Sequence, residues 1–425
     1  MSTASIAERA PWLKNPSLQK LLSALAENGE EARIAGGAVR NALLGQVVAD
    51  IDIATTNLPQ ATVQKATEAG FKAVPTGIEH GTVTVVADGT PYEVTTLRDD
   101  IETDGRHAVV HFGRDWDRDA QRRDFTINAL YATADGTVID LVGGLADVEA
   151  RRLRFIGDAE KRIREDYLRI LRFFRFFAWY GDGRPDVEGL KACARLKDGL
   201  DRLSAERVWA ELKKLLAAPD PSRALLWMRQ SGVLSRVLPE TEKWGIDAIH
   251  GLVSAEKDLG WTPDGLLRLE AILPPDAGRL ESMAKRLKLS TKETSRLVEW
   301  ATERSPVADL SDLALSKRLY FGSPQGIDDR LALSLAVART KAVSSDEALK
   351  EAAGFSRLLK LTRNWKRPVF PLKGNDLAEI GFESGPVMGE VIRKLTEIWA
   401  DSGFVMDKSA LIEKAKALPN FQERR

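Results

Sequence analysis

The stretch GGAVRNALLGQVVADIDIAT, Gly36 to Thr55, decides the reading of the fold. Before it lies EARIA, 31–35, a short strand-like run, and the AVRNALLG segment reads as a helix. Gly36 and Gly37 therefore fall between a strand and a helix. There, backbone N–H groups can approach phosphate oxygens, and a helix N-terminus favours anions. Arg40 lies one turn inside the helix and adds a charged donor to the same phosphates. DIDIA, 50–54, reads as the next strand, so Asp50 and Asp52 leave one face while Ile51 and Ile53 pack behind. Paired carboxylates on one face suit a hard cation such as Mg2+, which takes oxygen ligands and keeps substrate phosphates in its shell. A lone Gly-Gly is usually a turn, and a lone Asp-x-Asp usually a solvated strand face. Together, in this order, they point to phosphate and metal.

Working outward, the first ~150 residues mix strands and helices. ATVQKATEAG is a helix closed by Gly70, and GTVTVVADGTPYEVTTL, 81–97, alternates over two strands across Asp88-Gly89, a hairpin signal. RDDIETDGRHAVVHFGRDWDRD, 98–119, is charged and weakly periodic and reads as a long loop. ALYATADGTVIDLVGG, 129–144, supplies another hairpin. From Asp158 onward apolar positions recur at three and four, without a convincing strand run. The fold class is α+β, a small mixed sheet followed by an all-helical extension.

Composition narrows the chemistry. The 425 residues carry 62 Lys and Arg against 62 Asp and Glu, so wholesale basic nucleic-acid binding is excluded and any such binding must come from patches. Two exist: 151–175, with nine basic and four acidic residues, and 356–374, with six basic residues, no acidic one, and Trp365 among them. One cysteine, Cys193, excludes a disulfide framework and multi-cysteine metal sites. The four histidines form neither HExxH nor a His-Asp dipeptide. With no apolar leader and no run of about 18 apolar residues, the expectation is a soluble protein of a reducing compartment.

The residues also carry a family resemblance. GGAVR…LLG…DIDIAT resembles the first signature of the class II nucleotidyltransferases, which include CCA-adding enzymes and bacterial poly(A) polymerases. QRRDFTINALY, 121–131, is similar to the second motif of that family, and REDYLRILRFFRF, 164–176, to the helix that reads the incoming base. LSAERVWAELKKLL, 203–216, is similar to the next helical motif, and KGNDL…GFESGPVMGEVI, 373–392, to the C-terminal region. The motifs occur in the family's order.

The resemblance implies a polymerase-β-like nucleotidyltransferase head over 1–155, a base-reading helical neck over 156–220, a body over 221–345 and a tRNA-binding tail over 346–425. It implies a cytoplasmic enzyme, with no membrane and no obligate protein partner, that adds CCA to the 3′ end of tRNA from CTP and ATP without a template. Mg2+ would be held by Asp50 and Asp52, with Glu93 near it. Gly37, Arg40 and Arg123 would hold the triphosphate, Asp124 and Asn128 the ribose, and Asp166 and Arg169 the base. Arg172 and Arg175 continue the nucleotide-binding series, whereas Arg122 is expected to be solvated. Lys360, Arg363, Lys366 and Arg367 would contact RNA. One departure is Asn41, where the family commonly has Asp; Asn keeps an acceptor and drops a charge.

Over 158–178 a single helix is expected, with Tyr167, Ile170, Leu171, Phe174 and Ala178 as its buried stripe and Asp166 and Arg169 as i, i+3 neighbours on another face. An ionised Asp only accepts and an Arg only donates, so this pair matches the amino donor and ring acceptor shared by cytosine and adenine. Uracil and guanine present the reverse pattern. Alternatives within the family are poly(A) polymerase and CC-only addition. The first usually carries a basic signature after Leu-Leu that LLGQVVADID lacks, and the second tends to lack the loop present here at 98–117. A non-catalytic RNA-binding relative would have no need of both Asp50 and Asp52.

Overall fold

The computed structural model describes residues 4–104, 107–242 and 244–418, leaving aside the side chains of 99–110. The chain divides into two compact units, Met1–Glu242 and Lys243–Arg425, and each is described by itself.

The first unit carries strands β1 (Ala32–Ala35), β2 (Asp52–Thr55), β3 (Lys72–Gly77), β4 (Thr82–Ala87), β5 (Thr90–Thr96), β6 (Arg98–Asp104), β7 (His107–Phe112), β8 (Leu130–Ala132) and β9 (Val138–Asp140). Seven of them form one mixed sheet in the order β3-β4-β5-β2-β1-β8-β9. In β4 the residues Val83, Val85 and Ala87 are buried and alternate with more open neighbours, as a one-faced strand requires. Asp88 and Gly89 both have positive φ, so the β4–β5 hairpin turns as its Asp-Gly text predicts. β2 and β5 run parallel, with Asp52 opposite Glu93.

Its helices are α1 (Pro16–Leu25), α2 (Gly37–Leu43), α3 (Pro59–Glu68), α4 (Trp116–Gln121), α5 (Gly144–Glu149), α6 (Ala159–Glu165), α7 (Leu168–Tyr180), α8 (Val187–Leu196) and α9 (Ala205–Leu216), followed by Ser222–Gln230 and Val233–Val237. Four details differ from the sequence reading. The strand expected at 50–54 begins at Asp52, so Asp50 lies on the approach to β2. The expected loop is instead the β6–β7 hairpin followed by α4. These two strands form a separate sheet, and no stripe of apolar text marked them as strands. FTINALY, whose apolar text reads as a strand, splits into a 3-10 turn, Thr126–Asn128, and the short β8.

The fourth difference is a break in the expected single helix. Asp166 is extended, at φ −155° and ψ 109°, and its Oδ1 accepts the Leu168 N–H at 3.0 Å. It closes α6, and its side chain reaches across to the first residue of α7, as Asp does next to helix starts. α7 is buried on more than one side: besides Ile170, Leu171 and Phe174, it buries Phe173, Phe176 and Phe177. Phe125 packs against Phe155 and Phe176 with ring centroids 4.9 and 5.4 Å apart, which presses the segment after Asp124 onto α7.

Among the described residues of the second unit, every regular element is a helix. Helix Pro324–Ala342 packs along Asp346–Asn364. Leu377, Val391, Leu395, Trp399 and Leu411 form a separate apolar cluster nearer the C-terminus. Among the described residues no helix is long and apolar enough to cross a membrane.

The base of the β6–β7 hairpin rests on Gly81. Its φ is +83°, and a Cβ there would lie 2.7 Å from Phe112 Cε1. Gly81→Ala should destabilise the unit by about 1–2 kcal/mol from the left-handed backbone alone, read from urea unfolding. Adding Phe112→Ala should recover only the steric part of any loss beyond that. A neutral Gly81→Ala would show that the backbone there relaxes freely.

Candidate functional site

A cleft of about 590 Å³ opens in the first unit. Gly37, Arg40, Asp52, Glu93, Arg123, Asp124, Asn128, Asp166, Arg169 and Arg172 all line it, although they come from distant parts of the chain. Asp50 and Arg175 are not among the lining residues, whereas Arg122 and Arg207 are. Lys360, Arg363, Lys366 and Arg367 belong to the second unit.

One wall is acidic. Asp52 and Glu93 are register partners on parallel strands, so their side chains share a face. Loss of water around Asp52 pushes its carboxyl above the usual range, and Glu93 and Asp50 push it the same way, against the pull of Arg123. Among the described residues no three His, Cys, Asp or Glu side chains converge closely enough to hold a metal ion unaided. The donor set is nonetheless all oxygen and over-rich in negative charge. It fits a hard cation that completes its shell with water and substrate phosphate.

The glycine turn stands next to this wall. Gly36 has φ +62°, and a Cβ would meet Arg123 Nη1 at 3.1 Å and the Asn128 carbonyl at 3.2 Å. Its N–H already donates to the Leu130 carbonyl at 2.8 Å, so its amide is engaged within the sheet. α2 spans Gly37–Leu43, only two turns, so arginines supply the main positive charge.

Arg40 is buried, and its Nη1 donates to Asn128 Oδ1. Its Nη2 donates to Tyr180 Oη at 2.8 Å, and the guanidinium stacks 3.9 Å from the Tyr180 ring. Asn41 supports it as an adjacent acceptor, with Oδ1 taking the Arg40 Nε–H at 3.2 Å and an Nη2–H at 3.0 Å. The Asn41 amide also donates to the Val47 carbonyl at 3.0 Å, an interaction a carboxylate could not make. The departure at this position thus ties α2 to the connection that leads to Asp50.

Asn128 in turn donates to Asp124 Oδ1 at 3.0 Å, while Asp124 Oδ2 takes the Arg172 Nε–H at 2.7 Å. Burial pushes the Asp124 carboxyl up, but Arg172 and Asn128 outweigh it and hold it below the ordinary value. Asp119, missed by the sequence reading, is 1% exposed and pairs with both Arg122 and Arg123.

The residues expected to read the base are arranged differently from expectation. Asp166 and Arg169 are not salt-bridged to each other, although the Arg169 N–H donates to the Asp166 carbonyl at 3.0 Å. Asp166 Oδ2 takes an Arg207 Nη2–H at 2.6 Å, and Arg169 donates to Glu165 at 2.6 Å. Arg175 pairs with the buried Glu211 at 2.7 Å. Arg207 and Glu211 both lie on α9, four apart on one helix face. That helix was quoted in the sequence as a motif, but neither residue was given a role. In the second unit, Arg363 pairs with Asp328 at 3.1 Å and stacks on Trp261, and Arg357 pairs with Asp312, so folding brings acidic groups to the acid-free stretch.

Comparison with known proteins places these features in context. Residues 32–154 match the family model of the "Poly A polymerase head domain", and 186–244 match the "Probable RNA and SrmB- binding site of polymerase A". Mouse CCA tRNA nucleotidyltransferase 1, mitochondrial, is 34% identical over 406 residues, covering 94% of this chain and 89% of that protein. The CCA-adding enzyme of Streptococcus sanguinis is 34% identical over 411 residues, covering 93% and 94%. The crystal structure of the Bacillus stearothermophilus CCA-adding enzyme in complex with CTP superposes with a TM-score of 0.72 at 26% identity, covering 94% of this chain and 97% of that one.

The raised Asp52 carboxyl gives a signed expectation. Its charged form is disfavoured in the fold, so Asp52→Asn should raise the melting temperature of the metal-free protein at pH 7. The gain should shrink as pH falls through the raised value toward about 3.9, the unfolded reference. A lower melting temperature for the variant at pH 7 would make Asp52 a structural carboxylate.

Proposed function

The chain belongs to the CCA-adding tRNA nucleotidyltransferase family, and within that family we propose that it adds C, C and A in turn to the 3′ end of tRNA, in the cytoplasm. CTP and ATP are the donors and pyrophosphate leaves. The observation that carries this reading is the one cleft that joins the Asp52–Glu93 wall, the glycine turn, Arg40 and Arg123, and the Asp166–Arg169 region. Residues 1–155 serve as the catalytic head, 156–220 as the neck, 221–345 as the body and 346–425 as the tail.

Arg40, Arg123 and the Gly37 amide bind the triphosphate and stabilise charge as the α-phosphate is attacked by the tRNA 3′-hydroxyl. Asp124 holds Asn128 and Arg172 beside the ribose. Mg2+, when bound by Asp52 with Asp50 and Glu93 beside it, supplies charge neutralisation at the phosphate and eases ionisation of the attacking hydroxyl. Asp166 offers an acceptor and Arg169 a donor to the incoming base, and Arg207 holds the Asp166 carboxylate in place. That pairing accepts cytosine and adenine and leaves uracil and guanine with unmatched groups. Lys360, Lys366 and Arg367 are exposed around the end of Asp346–Asn364 and, with Arg363, contact the tRNA backbone.

The direct test incubates the protein with tRNA lacking its 3′ end, CTP, ATP and Mg2+, and sequences the product ends. Products ending in CCA support the reading; A runs or CC ends alone would overturn it. Asp52→Ala should lower addition on the order of 10³-fold, since a lost metal interaction is worth several kcal/mol. Near-normal activity in a folded Asp50→Ala, Asp52→Ala double variant would remove the metal assignment.

Asp166→Ala and Arg169→Ala should reduce the kcat/KM preference for CTP and ATP over UTP and GTP by roughly tenfold or more, from one lost charged hydrogen bond. If all four nucleotides fall in proportion, the residues are structural. Charge reversal at Lys366 and Arg367 should weaken tRNA binding and flatten its salt dependence while nucleotide KM holds. An unchanged salt slope would mark the patch as merely solvated.

A further inference from the structure

Asp119 distributes its two carboxylate oxygens between two neighbouring arginines. Oδ1 accepts from Arg122 Nε at 2.9 Å and Nη2 at 2.6 Å. Oδ2 accepts from Arg123 Nε at 3.3 Å and Nη2 at 3.2 Å, and from Tyr131 Oη at 2.6 Å. Five donors therefore converge on one carboxylate that is 1% exposed. Burial alone would push it up, yet Arg123 and Arg122 hold it below its ordinary value. Asp119 belongs to α4, while Arg122 and Arg123 follow at its end, three and four residues on. Tyr131 reaches the same carboxylate from β8 and locks its orientation against the sheet.

The two guanidiniums are not equally committed. Arg123 also donates through Nη1 to the Asn128 carbonyl at 3.2 Å, so all three of its nitrogens serve the fold. Arg122 meets Asp119 through Nε and one Nη2–H and retains three of its five donors, two of them on Nη1. Its side chain is 18% exposed and lines the cleft together with Arg123, beside Arg40 and the glycine turn. Its backbone is fixed as well, since the Arg122 carbonyl accepts from Arg169 Nη2 at 3.4 Å and the preceding Gln121 carbonyl from Arg162 Nη2 at 2.7 Å. A guanidinium with spare donors, held by a buried carboxylate at the edge of a phosphate site, is preorganised for a second oxyanion.

We infer that Arg122 binds the polyphosphate end of the nucleoside triphosphate and that Asp119 is the positioning residue that aims Arg122 and Arg123 into the cleft together. The inference rests on the reading of this cleft as a triphosphate site. The ligand class is a linear polyphosphate, free or at the end of a nucleotide.

The test measures calorimetric binding of inorganic tripolyphosphate with Mg2+, and kcat and KM for CTP and ATP, on the full chain. Arg122→Gln should weaken tripolyphosphate about tenfold or more, as loss of a charge-assisted contact requires. It should also raise KM for CTP and ATP alike, by more than kcat falls. Asp119→Asn should weaken tripolyphosphate further, because it loosens both arginines, and Asp119→Glu should restore part of the loss. Should Asp119→Asn fail to fold, the Arg122→Gln result decides alone. Normal tripolyphosphate affinity in folded Arg122→Gln would reduce Arg122 to an internal ion pair and overturn the inference while the cleft reading stands. A wild-type protein that binds neither tripolyphosphate nor CTP would overturn both.

Discussion

A chain of buried polar contacts runs from Arg40 through Asn128 and Asp124 to Arg172, and the geometry of the cleft depends on it. Each member belongs to a different element: α2, the 126–128 turn, the segment before it, and α7. Arg40 and Asp124 are nearly closed to water, so neither can lose its partner without stranding a charge. Breaking such a pair costs about 3–5 kcal/mol, more than the intact pair adds relative to an apolar substitute. The chain therefore acts less as a source of stability than as a constraint on where the helices can sit. It fixes the Arg40 side of the cleft relative to the α7 side that carries Arg172.

Aromatic packing backs that constraint from behind. Phe125 follows Asp124 and is fully buried against Phe155, Phe173 and Phe176, so the backbone cannot shift Asp124 away from Arg172 without opening the core. The backbone is pinned as well, by the Ile156 N–H donating to the Asp124 carbonyl at 3.1 Å. Arg40 and Arg172 each also lie 5.3 Å from the Phe176 ring, so one side chain of α7 touches both ends of the polar chain. Local sequence, apolar packing and polar geometry agree here, and that agreement makes a preorganised site out of many flexible side chains.

How much of this was legible in the sequence depends on how local each cause was. Gly36–Gly37, Arg40 and the Asp88-Gly89 turn are governed by backbone conformation and spacing, and their placement followed from the text. The β6–β7 hairpin was not legible, because no core-facing alternation marks its strands. The break before α7 was present in the sequence as an Asp two residues ahead of an apolar helical run, but the charge run Arg164 to Arg169 hid it within a helical period. Asp119 could have been found, since it stands three and four residues before a pair of arginines. Glu211 and Tyr180 owe their roles to Arg175 and Arg40, which folding brings to them from distant sequence, and no local pattern contains that information.

The same residue type is driven in opposite directions across one cleft. Asp119 and Asp124 are held low by arginines that outweigh their burial, and both remain anionic scaffolds at any physiological pH. Asp52 is pushed up by loss of water and by its acidic neighbours, with Arg123 only partly offsetting them. Asp119 carries one negative charge against the two arginines it holds, so that cluster keeps a net positive charge beside the cleft. Arg40 has no carboxylate in direct contact and is lowered by burial, with Tyr180 and Asp124 only partly compensating. The cleft thus holds an unmet negative charge at the Asp52 wall and an under-compensated positive charge at Arg40. An anionic polyphosphate bound together with a hard cation answers both deficits at once, whereas either alone would leave one wall unsatisfied. On the proposed reading, selectivity for a metal-bound triphosphate follows from the charge arrangement itself, before any contact to the base is made.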